Sequence, residues 1–290
     1  MKKLCVICLY AISLCLPSTV RAADSLACYV DPRIGSEGLG RVFIGPSCPY
    51  GMVKPSPDCT ARPNSGWLPM PEQVDGFAQV HVSGTGGGPK YGNVLVMPFV
   101  GDLSSTRHID YREQETIRLG YYYTRFQRSG IETEITTAPR ASFYRFTYPE
   151  DSVPSLAIDA GFFLGENPVP DAREAQQFVG SEVEVISDHE VMGYTRIRGG
   201  WNNGRAYTVY FYAETDRPFV QFATWKGDNL TTDRSQYDSG QKTGALLKFG
   251  ELTRKQGDTL TREQVDEDAS AELPRSLDNS SARQLTQKLN

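Results

Sequence analysis

Apolar and polar positions alternate along most of this chain at a period of two, the pattern of β-strands. The clearest case is RAYTVYFYAE at residues 205–214. Ala206, Thr208, Tyr210 and Tyr212 share one face, and Tyr207, Val209, Phe211 and Ala213 share the other. Both faces are apolar, so both are expected to be covered, as in the interior of a large sandwich. Residues 117–126 (IRLGYYYTRF) and 131–148 (IETEITTAPRASFYRFTY) alternate in the same way, and apolar strands are expected at 155–162, 218–227 and 244–252. EVEVIS and EVMGYTRIR flank Asp188-His189, which predicts a hairpin turn between them. Upstream, the short runs VFIG, GMVKPSP, GFAQVHV and NVLVMPFVG are separated by Gly- and Pro-rich turn chemistry. No helical period of useful length precedes residue 258. The expected fold class is therefore mainly β, a large antiparallel β-sandwich over residues 24–257. Residues 258–290 are polar and rich in helix formers, which predicts a helical linker that buries little by itself.

One strand ends oddly. GFAQVHVSGTGGG, residues 76–88, starts as a core strand and runs into Gly84, Gly86, Gly87 and Gly88, with His81 at the junction. Glycine lets another group approach the backbone closely, so the run could cradle a phosphate, turn a corner or border a sugar pocket. A phosphate cradle lacks support, because the GxxxxGK(S/T) spacing is missing and no helix-forming segment follows. A hydrolytic triad built on Ser83 and His81 lacks a GxSxG elbow. Glu132 and Glu134 share a strand face, the ordinary mark of a solvated surface. Trp67, in the loop NSGWLPM, either stacks on a sugar ring or plugs the end of the sandwich. Trp201 (GGWNNGR) and Trp225 make the same point less sharply. The candidate substrate-binding residues are Trp67, His81, Ser83, Gly84, Thr85 and Gly86; no catalytic or metal-ligating residue is assigned.

Composition sharpens the cellular setting. Lys2 and Lys3 precede the short apolar run Leu4–Leu16, and Arg21, Ala22 and Ala23 offer a cleavage site, so residues 1–23 read as a secretory signal peptide. That run is too short to span a bilayer, and no later stretch could. The expected location is secreted or periplasmic, with lipid anchoring at Cys28 as the alternative. Cys28, Cys48 and Cys59 follow the leader; Cys48 and Cys59 could pair or remain free thiols. The net charge of −5 becomes more negative once the leader is removed, which disfavours nucleic acid as a partner.

Several motifs in sequence order carry a resemblance. Val30-Asp31-Pro32-Arg33-Ile34-Gly35 opens it, the run from Pro49 to Asp58 follows, then GFAQVHVSGTG, then Tyr91 to Pro98, and later GYYYTRFQRSGIETEITTAPRASFYRFTYP. Over roughly residues 29–250 the chain resembles the N-terminal domain of glycoside hydrolase family 92, exported bacterial α-mannosidases. That resemblance implies a galactose-mutarotase-like supersandwich, a helical linker, and an (α/α)6-barrel catalytic domain lying beyond this chain. It implies an inverting reaction aided by calcium, whose ligands and catalytic carboxylates sit mostly in the barrel, so no cofactor is expected for this chain alone. The implied partners are α-mannoside glycans at the pocket rim and a catalytic barrel, from a separate chain if need be. The alternatives are a stand-alone carbohydrate-binding module and a non-catalytic scaffold. Two departures stand out: Ala78-Gln79-Val80-His81 keeps only the second histidine of the family's S-H-x-H, and Asn93 replaces an acidic residue.

Overall fold

The computed structural model describes residues 29–37, 42–82, 88–166, 176–202 and 204–250. The leader expected at 1–23 and the linker expected at 258–290 lie outside the described residues. No helix among the described residues is long and apolar enough to cross a membrane.

The chain folds as antiparallel β structure. The strands are β1 (Ser56–Cys59), β2 (Gln73–Ala78), β3 (Leu95–Val100), β4 (Asp110–Arg118), β5 (Tyr121–Phe126), β6 (Glu132–Thr137), β7 (Ser142–Thr147) and β8 (Pro154–Asp159). There follow β9 (Gln176–Val185), β10 (Glu190–Gly199), β11 (Ala206–Glu214), β12 (Phe219–Lys226), β13 (Asn229–Thr231), β14 (Ser235–Asp238) and β15 (Thr243–Phe249). One sheet runs β13-β12-β15-β8-β3-β2-β4-β5-β6-β7, with β1 on β2; the other runs β11-β10-β9-β14. The larger sheet is continuous through a short seam, where β2 meets β4 only at Gln73–Tyr111 and Val74–Asp110.

Two apolar cores hold these sheets. Leu156, Ile158, Ala245 and Leu247 of the larger sheet pack in one cluster with Val183, Val185 and Val191 of the smaller. The opposite set of positions, Met97, Ala157, Trp225 and Leu246, joins a second cluster with Phe77, Tyr122, Phe126 and Ile135. Period-two alternation therefore serves both faces of the central strands, which explains their nearly unbroken burial in β8 and β15.

Four expectations are corrected. VFIG forms no strand, although Ile44 is fully buried. Residues 117–126 belong to two strands, turned at Leu119-Gly120, because β4 extends back to Asp110. β11 is an edge strand with both faces half-open, and Tyr210 is 51% exposed. Tyrosines carry an apolar body and a polar tip, so an alternation rich in them overstates burial. GFAQVHV begins its strand earlier and leaves it at Ala78, after which only Val80 bridges to Lys54. The hairpin around Asp188-His189 is present, joining β9 to β10.

Candidate functional site

Beyond Ala78 the chain runs towards the glycine segment, and His81 is buried at that turn. His81 Nδ1 lies 2.9 Å from the Lys54 carbonyl and Nε2 lies 2.9 Å from Asp58 Oδ1. A carbonyl and a carboxylate both accept, so both ring nitrogens donate, as a doubly protonated imidazolium does. Asp58 Oδ2 accepts a further bond from the Ala78 amide at 2.9 Å. Desolvation pulls the His81 pKa down, but the Asp58 charge, its hydrogen bond and the Lys54 carbonyl outweigh it, and the net shift is upward. The surrounding backbone is glycine for a reason. Gly66 (φ 86°) and Gly92 (φ 62°) would place a Cβ 3.0 Å and 3.2 Å from His81 Nε2, and at Gly66 only 2.5 Å from Asp58 Oδ1.

A polar and aromatic corner continues from there. Tyr91 and Val94 both hold positive φ, 63° and 59°, a strained choice for a β-branched valine. The Tyr91 amide donates to Gln176 Oε1 at 2.6 Å, and Gln176 Nε2 donates to the Tyr207 hydroxyl at 3.2 Å. That hydroxyl donates to Asn93 Oδ1 at 3.1 Å, while buried Asn93 Nδ2 meets no acceptor among the described residues. Burial pushes the Tyr207 phenol up to about 12. On the outside lies Trp201, 44% exposed, its amide donating to the Tyr91 hydroxyl at 2.9 Å. Its ring stands edge-on to Tyr91, and Lys90 Nζ lies 5.0 Å from its centroid.

Of the candidates named from sequence, Trp67 and His81 fall among the described residues. Ser83, Gly84, Thr85 and Gly86 lie outside the described residues. Trp67 is 3% exposed; its Nε1 donates to Glu115 Oε1 at 3.1 Å, and the Arg112 guanidinium lies 5.8 Å from its ring. Its faces meet protein, so the exposed aromatic of this region is Trp201. In the sequence Trp67 is the more pointed candidate, although the Gly199-Gly200 pair before Trp201 marks a turn as plainly. Gln79, in place of a family histidine, donates to the Phe77 carbonyl and the Tyr144 hydroxyl at 2.8 Å and accepts from Ser142 at 2.7 Å. It ties the end of β2 to β7. Cys48 and Cys59 are free thiols.

The corner does not fit calcium. Asp58, its carboxylate, uses one oxygen on His81 and the other on Ala78 N, and calcium takes six to eight oxygens. Among the described residues no group of three or more His, Cys, Asp or Glu could hold a metal ion.

The fold is that of an antiparallel β domain with an aromatic-edged polar corner. Residues 29–260 match the glycosyl hydrolase family 92 N-terminal domain, and the chain belongs to that family. It is 30% identical over 157 residues to an uncharacterized secreted glycosidase of Arthroderma benhamiae, covering 50% of this chain and 20% of that relative. It superposes on a family 92 α-mannosidase of Bacteroides thetaiotaomicron with a TM-score of 0.67 at 23% identity, over 79% of this chain and 32% of that one. A second family 92 glycosyl hydrolase structure gives a TM-score of 0.65 at 26% identity, over 77% and 30% of the two chains. The chain thus spans about a third or less of the length of these relatives.

Proposed function

We propose that this chain is the non-catalytic, β-sandwich N-terminal module of an exported α-mannosidase-like hydrolase. A supersandwich exposes one corner, and a helical linker runs on from residue 258. Trp201 edges the rim of the sugar pocket, His81 supports it from behind, and Ser83, Gly84, Thr85 and Gly86 contact the sugar. The observation that carries this reading is the family match over residues 29–260, together with a corner in which Asp58 is the one carboxylate among the described residues. Inverting hydrolysis needs two, about 6.5–9.5 Å apart. A half-exposed tryptophan beside a tyrosine is part of a sugar contact, not of bond cleavage.

The purified 290-residue chain is expected to leave aryl α-mannosides intact, with or without added calcium. Turnover by this chain that a chelator abolishes would overturn the proposal. The exposed Trp201 ring also favours a second reading, a stand-alone carbohydrate-binding module. Mannan binding lost in Trp201→Ala, with no gain on adding a family 92 barrel, selects that reading.

A further inference from the structure

The smaller sheet ends in an open strand. β11 is nine residues long, and among the described residues its backbone pairs only with β10. Exposed strand edges invite pairing with another chain, and proteins blunt them with short strands, prolines, bulges or charges. The other sheet ends are blunted: β13 has three residues, β14 has four, and β7 carries Arg145 in mid-strand. β11 has none of these devices. Its register with β10 is unbroken, and no proline or charge falls between Ala206 and Glu214. Both of its faces are half-open, so a strand laid beside it covers apolar surface on each.

The charge pattern selects the partner. On the outer face of this sheet the arginines lie at one end and the glutamates at the other. Arg198 sits beside Ala206 and Arg196 beside Thr208, whereas Glu190 sits beside Glu214. Arg196, Arg198, Ala206 and Glu214 are exposed, and Arg198 Nε donates to Gln177 Oε1 at 2.8 Å. A second β11 laid antiparallel reverses this order. Tyr210 is the midpoint of the strand, so full overlap about a two-fold axis normal to the sheet sets Tyr210 opposite its own copy. Thr208 then faces Tyr212 of the second copy, and Ala206 faces Glu214. Alanine is short, and strands lie about 4.8 Å apart, so Arg198 reaches past Ala206 to Glu214 of the other copy, once at each end of the joint. On the inner face Val209 meets Phe211 of the second copy. Opposite charges and aromatic–β-branched neighbours across strands each favour pairing. The edge is complementary to itself, as an isologous interface has to be, and an unrelated peptide has no reason to match it.

We propose that two copies of this chain pair antiparallel through β11, Tyr210 against Tyr210, joining their four-stranded sheets into one. The joint is small, so the dimer forms and dissociates with concentration. The proposal does not rest on the sugar-rim reading. The test is sedimentation velocity of the full chain from about 1 to 200 µM, a span that brackets weak association. A monomer–dimer shift is expected. Tyr210→Lys sets like charges directly opposite and should weaken the dimer about tenfold or more, while melting like the parent in dilute protein. Glu214→Arg should weaken it as well, and Glu214→Arg combined with Arg198→Glu should restore it. A chain that stays monomeric throughout overturns the proposal, as does a dimer that Tyr210→Lys leaves intact, which puts the contact elsewhere. A double variant that associates no more tightly than Glu214→Arg overturns the register on which the proposal rests.

Discussion

At the scale of single residues, buried charges are satisfied by partners far away in sequence. His81 and Asp58 form an ion pair with no access to water, and folding raises the His81 pKa above its ordinary 6.5. A raised histidine stabilises the fold fully below the unfolded value, and that contribution fades as pH rises through the folded value. Asp58→Asn should cost about 1.5–3 kcal/mol at pH 6, the range of a charge-assisted hydrogen bond. Urea denaturation at pH 6 and pH 9 should show the gap between wild type and variant shrinking at the higher pH; a constant gap refutes the assignment. Arg112 and Glu115 make a second buried pair at 2.5 Å, and the Tyr122 hydroxyl (2.5 Å) and Trp67 Nε1 donate to the same Glu115 oxygen. Arg112→Met strands that carboxylate and should destabilise by about 3–5 kcal/mol in the same assay. Cys59 is buried, which pushes its thiol up to about 11. Mass spectrometry after iodoacetamide treatment at pH 8 should find Cys59 unmodified in native protein and modified in urea.

At the scale of elements, a period of two locates strands better than it locates their ends or their depth. The pattern running through 117–126 hides a turn, because Leu119-Gly120 interrupts it by only two residues while alternation resumes at Tyr121. β14 was not legible at all: SQYD is four residues long and polar, and it exists because its backbone pairs with β9 at Gln236–Val183. The opposite error occurred at β11, whose alternation is the cleanest in the chain and whose place is a sheet edge. Tyr210 there touches the cross-strand Tyr194 ring, at 5.8 Å between centroids, and little else covers it. Tyr210→Thr puts a residue of good strand propensity on the edge and should change stability by less than about 0.5 kcal/mol in thermal denaturation of dilute protein. A large loss would mean that this face is covered in solution.

At the scale of the whole molecule, both core clusters, among the described residues, are built from residues between Ile44 and Phe249. A chain ending at Leu252 should therefore melt cooperatively within about 2 °C of the full chain, a shift that corresponds to less than about 1 kcal/mol at this size. A larger fall, measured by calorimetry, would give residues 253–290 a part in the core. The sequence by itself determined the mainly β class, because period-two patterning is a local consequence of strand geometry. It also determined the family, through motifs that follow one another along the chain. The structure buries His81, which the sequence puts among the sugar-binding candidates. Only the tertiary structure decided which tryptophan meets solvent. Trp67 is covered by Arg112, Glu115 and Tyr122, which come from about fifty residues further on, whereas Trp201 has Tyr91 and Lys90 against its ring and water beyond. Only the structure, too, put β11 at a sheet edge, with arginines and glutamates at opposite ends of the outer face. Exposure and juxtaposition are set by which distant segments close over a residue, and no local pattern records that.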